Sequence, residues 1–310
     1  MHSKSPSTPE KVKHSTTASV FASTCSPLLY GLHVAFEFFP LFAVYVALLA
    51  MPFVQPTWTS GIIMLALINL RGYAITVGFH RYFSHRAFRT YRWLQFLIAL
   101  VGCTAIQRGP LWWALHHRRH HAHSDTPYDV HSPVTQGFWH AHMGWLFDVV
   151  SLDPDYRTMR DFTRYPELVW LEKLWMFPGF LLAGACFLLD GWAGLIYGFC
   201  LGSVIMMQFA FAVNSLGHLT GPRPYATADG SRNNWVLGFL AFGDGWHNNH
   251  HRFPRLASHG LRWYEWDPSY RMILVLEKLR LVWDVKKPLP SISIQSPATA
   301  QPVKGATQAF

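Results

Sequence analysis

The chain has 310 residues, 50% hydrophobic and 16% aromatic, with only 14% charged. Such a composition excludes an ordinary soluble domain and points to a protein that crosses a membrane several times. The formal charge of +9 does not indicate nucleic-acid binding, because the arginines border apolar runs, as they do in cytoplasmic loops.

Residues 1–26 are polar and Ser/Thr-rich with scattered lysines. They lack the pattern of a cleavable signal peptide and read as a disordered tail. Leu28 to Phe53 is the first long apolar run, interrupted by His33, Glu37 and Pro40. A bilayer needs roughly 20 residues, and 34–54 is predicted as the first span. The connector Val54–Pro56 is short and uncharged, and residues 58–79 form the second span. Arg71 lies inside it and either faces the interior or snorkels to the headgroups. Residues 80–167 are polar apart from Trp93–Ile106. That stretch is too short to span, and reads as a helix at the membrane surface or packed beneath the polar domain. Spans three and four are predicted over 174–189 and 193–213, joined by the tight turn Asp190-Gly191-Trp192. Residues 217–285 are polar again, and a Pro/Ser/Ala-rich tail begins at Lys286. The fold class that follows is an all-α integral membrane protein. Four transmembrane helices in two hairpins, within one domain over 27–285, carry a cytosolic helical domain, with disordered tails at 1–26 and 286–310.

Lysine and arginine placement gives the orientation. The loops at 54–56 and 190–192 contain none, whereas Arg81, Arg86, Arg118, Arg119 and others crowd the segment between spans two and three. By the positive-inside rule both termini and the 80–167 segment are cytoplasmic. Cys25, Cys103, Cys186 and Cys200 show no CxxC spacing and read as free thiols.

The polar segments carry the chemistry. Trp113–Asp125 holds five histidines: His116, His117, His120, His121 and His123. On a helix His117, His120 and His121 share one face. The spacing recurs in His247-Asn248-Asn249-His250-His251, and Asn214 and His218 stand four apart at the end of span four. His80 and His85 follow span two. Five residues turn about 140° round an ideal α-helix, so these two share a face only if the helix ends or bulges there; otherwise they serve different metals. His116 also pairs with His120 at helical spacing, but only His117 reproduces HxxHH. Crowded neutral imidazoles call for a metal. Nine histidines and one asparagine exceed the four ligands of one zinc. They suit two ions of higher coordination with open positions, as iron needs to bind dioxygen. Asp125, Asp129, Asp244 and Asn249 are candidates to orient the ligand rings from behind. His2, His14, His33 and His259 are isolated, and His131, His140 and His142 read as packing or supporting residues.

The motifs HRYFSH, HHRRHH with the following SD, NSLGH, and GDGWHNNHH followed by RFP together resemble the membrane fatty-acid desaturases of the delta-9 class. GFWHAHMGW and HGLRWYEWD resemble that class too, and the likeness runs from span one to about residue 285. The resemblance implies a di-iron site held by His80, His85, His117, His120, His121, His218, His247, His250 and His251, with Asn214 nearby through water. It implies dioxygen as co-substrate and the removal of two hydrogens from a saturated fatty acyl chain, giving a cis double bond near carbon nine. Aromatic and small apolar residues of span two and Trp93–Ile106 would line the acyl tunnel. Vertebrate acyl-CoA members carry Arg-Asp where this chain has Leu115-His116, and basic residues where it has Leu146-Phe147-Asp148-Val149. The carrier is therefore coenzyme A or a membrane lipid, as in the similar bacterial and cyanobacterial enzymes, which imply a bacterial inner membrane. No HPGG element is present, so electrons come from a separate donor, ferredoxin or cytochrome b5 with its reductase. The alternatives are a hydroxylase or ketolase with the same histidine boxes, and a metal-binding membrane protein that is not an enzyme.

Overall fold

Residues 27–148 and 154–289 are described in a computed structural model. The expected tail 1–26 with His2, His14 and Cys25, the side chain of His33, Val149, and the tail from residue 290 lie outside the described residues.

Helix α1 (Pro27–Ala47) tightens into a 3₁₀ turn over Leu48–Phe53. Helix α2 (Trp58–Tyr73) opens with a capping box. Thr57 Oγ1 accepts the Ser60 N–H at 2.9 Å and Ser60 Oγ accepts the Thr57 N–H at 3.0 Å, satisfying two donors at the helix start. It runs on as a π-helix over Ala74–Ser84, past the predicted end of the span and into the first histidine motif.

Among the described residues, three helical stretches are long and apolar enough to cross a membrane: Ala35–Phe53, Trp58–Ser84 and Phe177–Leu219. The last has 43 residues, and would reach roughly 65 Å if straight, about twice the hydrocarbon thickness. It is not straight. In α5 (Phe177–Ala193) the backbone leaves helical geometry at Asp190 (φ −148°, ψ 27°) and Gly191 (φ 56°, ψ −143°). A Cβ added to Gly194 would lie 2.2 Å from the Cys186 carbonyl oxygen. Residues eight apart on one helix stand about 12 Å apart, so the chain reverses here. A π-helix over Gly194–Leu201 and α6 (Gly202–Leu219) follow. The two short connectors meet. Thr57 donates to the Asp190 carboxylate, and the Tyr197 hydroxyl donates to the carbonyls of Met51 and Val54 at 3.0 and 2.9 Å.

Arg71 is fully buried. It donates to Ser203 Oγ at 2.6 Å and stacks 4.6 Å from the Phe199 ring. Of the two roles open to it, the inward-facing one holds.

Helix α3 (Arg92–Cys103) is amphipathic and packs beneath the histidine-bearing end of α2. It buries Leu94, Gln95, Ala99 and Gly102 and turns Trp93 and Leu97 outward. Beyond the histidine motifs, β1 (Arg89–Thr90) pairs antiparallel with β2 (Val282–Trp283). Lys286, expected to begin a disordered tail, instead donates its N–H to the Ala87 carbonyl and accepts from the Ala257 N–H, both at 2.8 Å. The paired strands carry the ordered chain past the expected boundary.

Candidate metal centre

Four helical segments deliver the histidines to the end of the bundle opposite the connectors. The first is the π-helix. Its bonds run from residue i to i+5, and the His85 N–H reaches the His80 carbonyl at 3.2 Å. Five residues therefore close one turn, and both rings face one point. The second is α4 (Pro110–His123), with Pro110 at its first position. The Glu172 carboxylate accepts the Leu111 N–H at 2.7 Å and the Tyr156 hydroxyl at 2.9 Å, anchoring the helix start. The third is the end of α6, carrying Asn214 and His218.

The fourth, α7 (His247–Arg252), has only six residues, too few to stand alone. Its two asparagines explain how it holds. Asn248 bonds both backbone groups of Tyr225, and Asn249 donates to Glu265 at 2.7 Å and to the His259 carbonyl at 2.9 Å. Asn233 accepts both of their N–H groups. Asn249 thus fixes the helix and touches no candidate ligand ring through a hydrogen bond, contrary to the expectation that it orients one. The loop leading in needs Gly243 at φ +100°, where a Cβ would sit 2.4 Å from the Asp267 carboxylate.

These segments bring nine imidazoles into two groups, each able to hold a metal ion. The first comprises His80, His85, His117, His121 and His250; the second comprises His120, His218, His247 and His251. His80 and His85 fall in the same group. In the first, Nε2–Nε2 separations are 3.0 Å for His80–His250, 2.8 Å for His85–His117 and 2.8 Å for His121–His250. In the second they are 3.0 Å for His218–His247 and 3.3 Å for His120–His251. The two HxxHH copies divide in opposite senses: α4 gives its outer pair to the first group and His120 to the second, while α7 gives its outer pair to the second and His250 to the first.

Carboxylates sit behind several rings. Asp244 bonds His80 Nδ1 at 2.8 Å, Asp129 bonds His120 Nδ1 at 3.0 Å, Asp125 bonds His218 Nδ1 at 2.9 Å, and Asp229 bonds His251 Nδ1 at 2.8 Å. Such contacts fix the tautomer so that Nε2 presents its lone pair inward. Burial, and then neighbouring rings, hold His85, His117, His121, His247 and His250 well below the ordinary imidazole value, in the neutral form a metal requires. Buried, convergent nitrogens, four of the nine rings bonded from behind, fit two metal ions.

Residues 56–273 match the model of the fatty acid desaturase family. The chain belongs to that family. It is 38% identical over 232 residues to the sn-1 stearoyl-lipid 9-desaturase of Anabaena variabilis, covering 74% of this chain and 85% of the relative. It is 38% identical to the sn-2 palmitoyl-lipid 9-desaturase of Nostoc sp. (strain 36), covering 67% and 74%. It is 36% identical to the acyl-CoA C20 Delta5-desaturase of Anemone leveillei, covering 75% of each. This chain is accordingly a fatty acyl desaturase, an oxidoreductase of lipid metabolism with membrane-spanning helices.

In this desaturase a cleft opens beside the histidines, and a smaller inner cavity reaches both groups. Trp113, His117, Ala210 and Asn214 line both, so the two spaces adjoin. The lining departs from expectation. Phe38 and Leu41 of α1, Trp112 of α4 and Phe211 of α6 wall the outer cleft, while span two supplies only Ile75, Thr76 and His80, to the inner one. Of Trp93–Ile106, only Ile106 takes part, because α3 spends its buried face on α2.

His116 joins neither group; its ring packs tilted against Trp112 at 4.4 Å and lines the outer cleft. His131 packs 4.3 Å from His120, while His142 bridges Ser215 and Gln208, each at 2.9 Å. Sequence reasoning missed Asp229, which no spacing marks, and His259, whose ring lies 4.2 Å from His250 and 3.2 Å from Asp244. It also missed Arg81, fully buried and paired with Asp244 at 2.7 Å and Asp267 at 3.1 Å.

Proposed function

We propose that this protein is a di-iron, dioxygen-dependent desaturase that places a cis double bond near carbon nine of a saturated acyl chain. The observation that carries the reading is a largely apolar cleft adjoining a cavity that touches both histidine groups. His80, His85, His117, His121 and His250 would hold one iron, and His120, His218, His247 and His251 the other, with Asn214 at the second through water. Iron bound there supplies the oxidising power needed to take hydrogen from an unactivated methylene. Overall, the chain loses two hydrogens, and dioxygen accepts them with two further protons and two electrons to leave two waters. The electrons come from an external donor of the ferredoxin or cytochrome b5 type.

The protein's own part is positioning. Apolar walls exclude water from the acyl chain. Trp113 of α4 and Ala210 of α6 line both spaces, beside the rings of His80 and His117. The names of the cyanobacterial relatives support carbon nine and a lipid carrier; the name of the Anemone relative supports other positions and coenzyme A. The reversal at Asp190-Gly191 supports four crossings in two hairpins, and the arginine distribution supports a cytoplasmic metal centre at a bacterial-type inner membrane.

Expression in a host lacking its own desaturase, followed by lipid profiling, tests the reading. Monounsaturated chains with the double bond at carbon nine are expected. Hydroxylated chains without monoenes would transfer the protein to the hydroxylases.

A further inference from the structure

The outer cleft is lined mainly by apolar side chains, with the histidines, Asn214, Glu37, Gln107 and Arg108 as the polar exceptions. There α1 brings Glu37 against Arg108, and the two form an ion pair. Arg108 has φ +70° and is 9% exposed, and its guanidinium stands 5.4 Å from the Phe38 ring, 5.4 Å from Trp112 and 5.7 Å from Trp175. An arginine held in a left-handed backbone conformation inside an aromatic box is locked in place. Yet Arg108 Nη2 is buried without a hydrogen-bond partner, and so is Nε2 of the neighbouring Gln107, also 9% exposed. Both residues line the cleft. Buried donors left unpaired are costly and ask for an acceptor. Glu37 already balances the Arg108 charge, so the acceptor need not be an anion.

We propose that Arg108 and Gln107 grip the carbonyl oxygen of the acyl ester, and so fix which methylene pair reaches the metal centre. An ester or thioester carbonyl accepts hydrogen bonds and donates none, which matches two unpaired donors in an apolar cleft. Arg108 and Gln107 act as positioning residues, because neither approaches the reacting carbons. The inference rests on the acyl-cleft reading above.

The test is the position of the double bond, measured by mass spectrometry of derivatised monoenes from whole cells. The charge-neutral double variant Glu37→Leu/Arg108→Met removes the Arg108 donors without stranding a buried charge. Expected are wild-type iron content, a monoene yield lowered about tenfold, and double bonds spread over neighbouring positions. Gln107→Leu should give a milder spread and guards against misfolding of the double variant. If the iron-replete double variant keeps a single unshifted double bond, the inference is overturned; if that variant does not fold, an unshifted bond in Gln107→Leu overturns it. A wild-type chain that makes no monoene would instead overturn the acyl-cleft reading itself.

Discussion

The two histidine groups are built to different rules. The first has five imidazoles but a carboxylate hydrogen-bonded behind only one of them, His80, and that carboxylate, Asp244, is shared with Arg81. Nδ1 of His85 and of His250 is buried without a hydrogen-bond partner. The second has four imidazoles, three of them bonded from behind by Asp125, Asp129 and Asp229. One group relies on ligand number, the other on ligand orientation and nearby negative charge. The lesson is that a repeated HxxHH motif fixes where nitrogens point but not how each ion is held. The inner cavity, which Asn214 lines, touches His80 and His117 of the first group and His120 and His247 of the second.

The comparison breaks most sharply at the rings themselves. His250→Ala should empty the first group and His120→Ala the second, each abolishing turnover and lowering bound iron while the protein stays in the membrane. Iron analysis and product yield check this. Full activity with undiminished iron in either variant would end the ligand assignment. Asn214→Ala comes next. It should keep most of the iron and lose most of the turnover, since it lines the inner cavity without being an imidazole ligand. Near-normal turnover would remove it from the mechanism.

A finer blade is the carboxylate behind the ring. Asp229→Asn should weaken metal affinity about 10- to 100-fold, with the loss confined to one of two iron equivalents. Asp244→Asn should behave differently, because it strips a partner from buried Arg81. Breaking a buried pair costs about 3–5 kcal/mol, so a lowered thermal midpoint should accompany any loss of iron. Equal stability in the two variants would show that the groups are supported alike after all.

That the nine histidines converge was legible in the sequence because their spacing is local: three helix-borne spacings read from five residues each, and His80 to His85 read from six. The pairing of rings into groups was not, because it depends on the π-helical turn at Ala74–Ser84 and on how α4 faces α7. Span limits came from hydropathy, yet the second helix overruns its predicted end by several residues, since histidine ends an apolar run without ending a helix. Asp229 and Arg81 escaped for a common reason. Their partners are distant in sequence, 22 residues away for His251 and 163 for Asp244, and a single charged residue carries no period. The cleft lining was misread because hydrophobicity alone does not tell a face packed on a neighbouring helix from one lining a void.

Acidification gives the smallest effect and still separates the two groups. In the metal-free protein, burial above all holds His85, His117, His121 and His250 well below the ordinary value, so they stay neutral when folded. The unfolded chain takes protons first, near pH 6.5. Stability from these rings is therefore present above about pH 6.5 and lost as pH falls toward their folded values. His251 in the second group follows the same sign, with burial pulling it to about 4. His120 runs the other way. Burial pulls it down, but Asp129, helped by Asp229 and Asp125, outweighs burial and raises it. A raised value stabilises the fold below the unfolded pKa, so His120 offsets part of the acid loss. Asp129→Asn removes that offset. The thermal midpoint of the metal-free variant should then fall more steeply between about pH 6.5 and 5 than that of the parent. Parallel slopes would mean that the carboxylate behind His120 does not hold its proton.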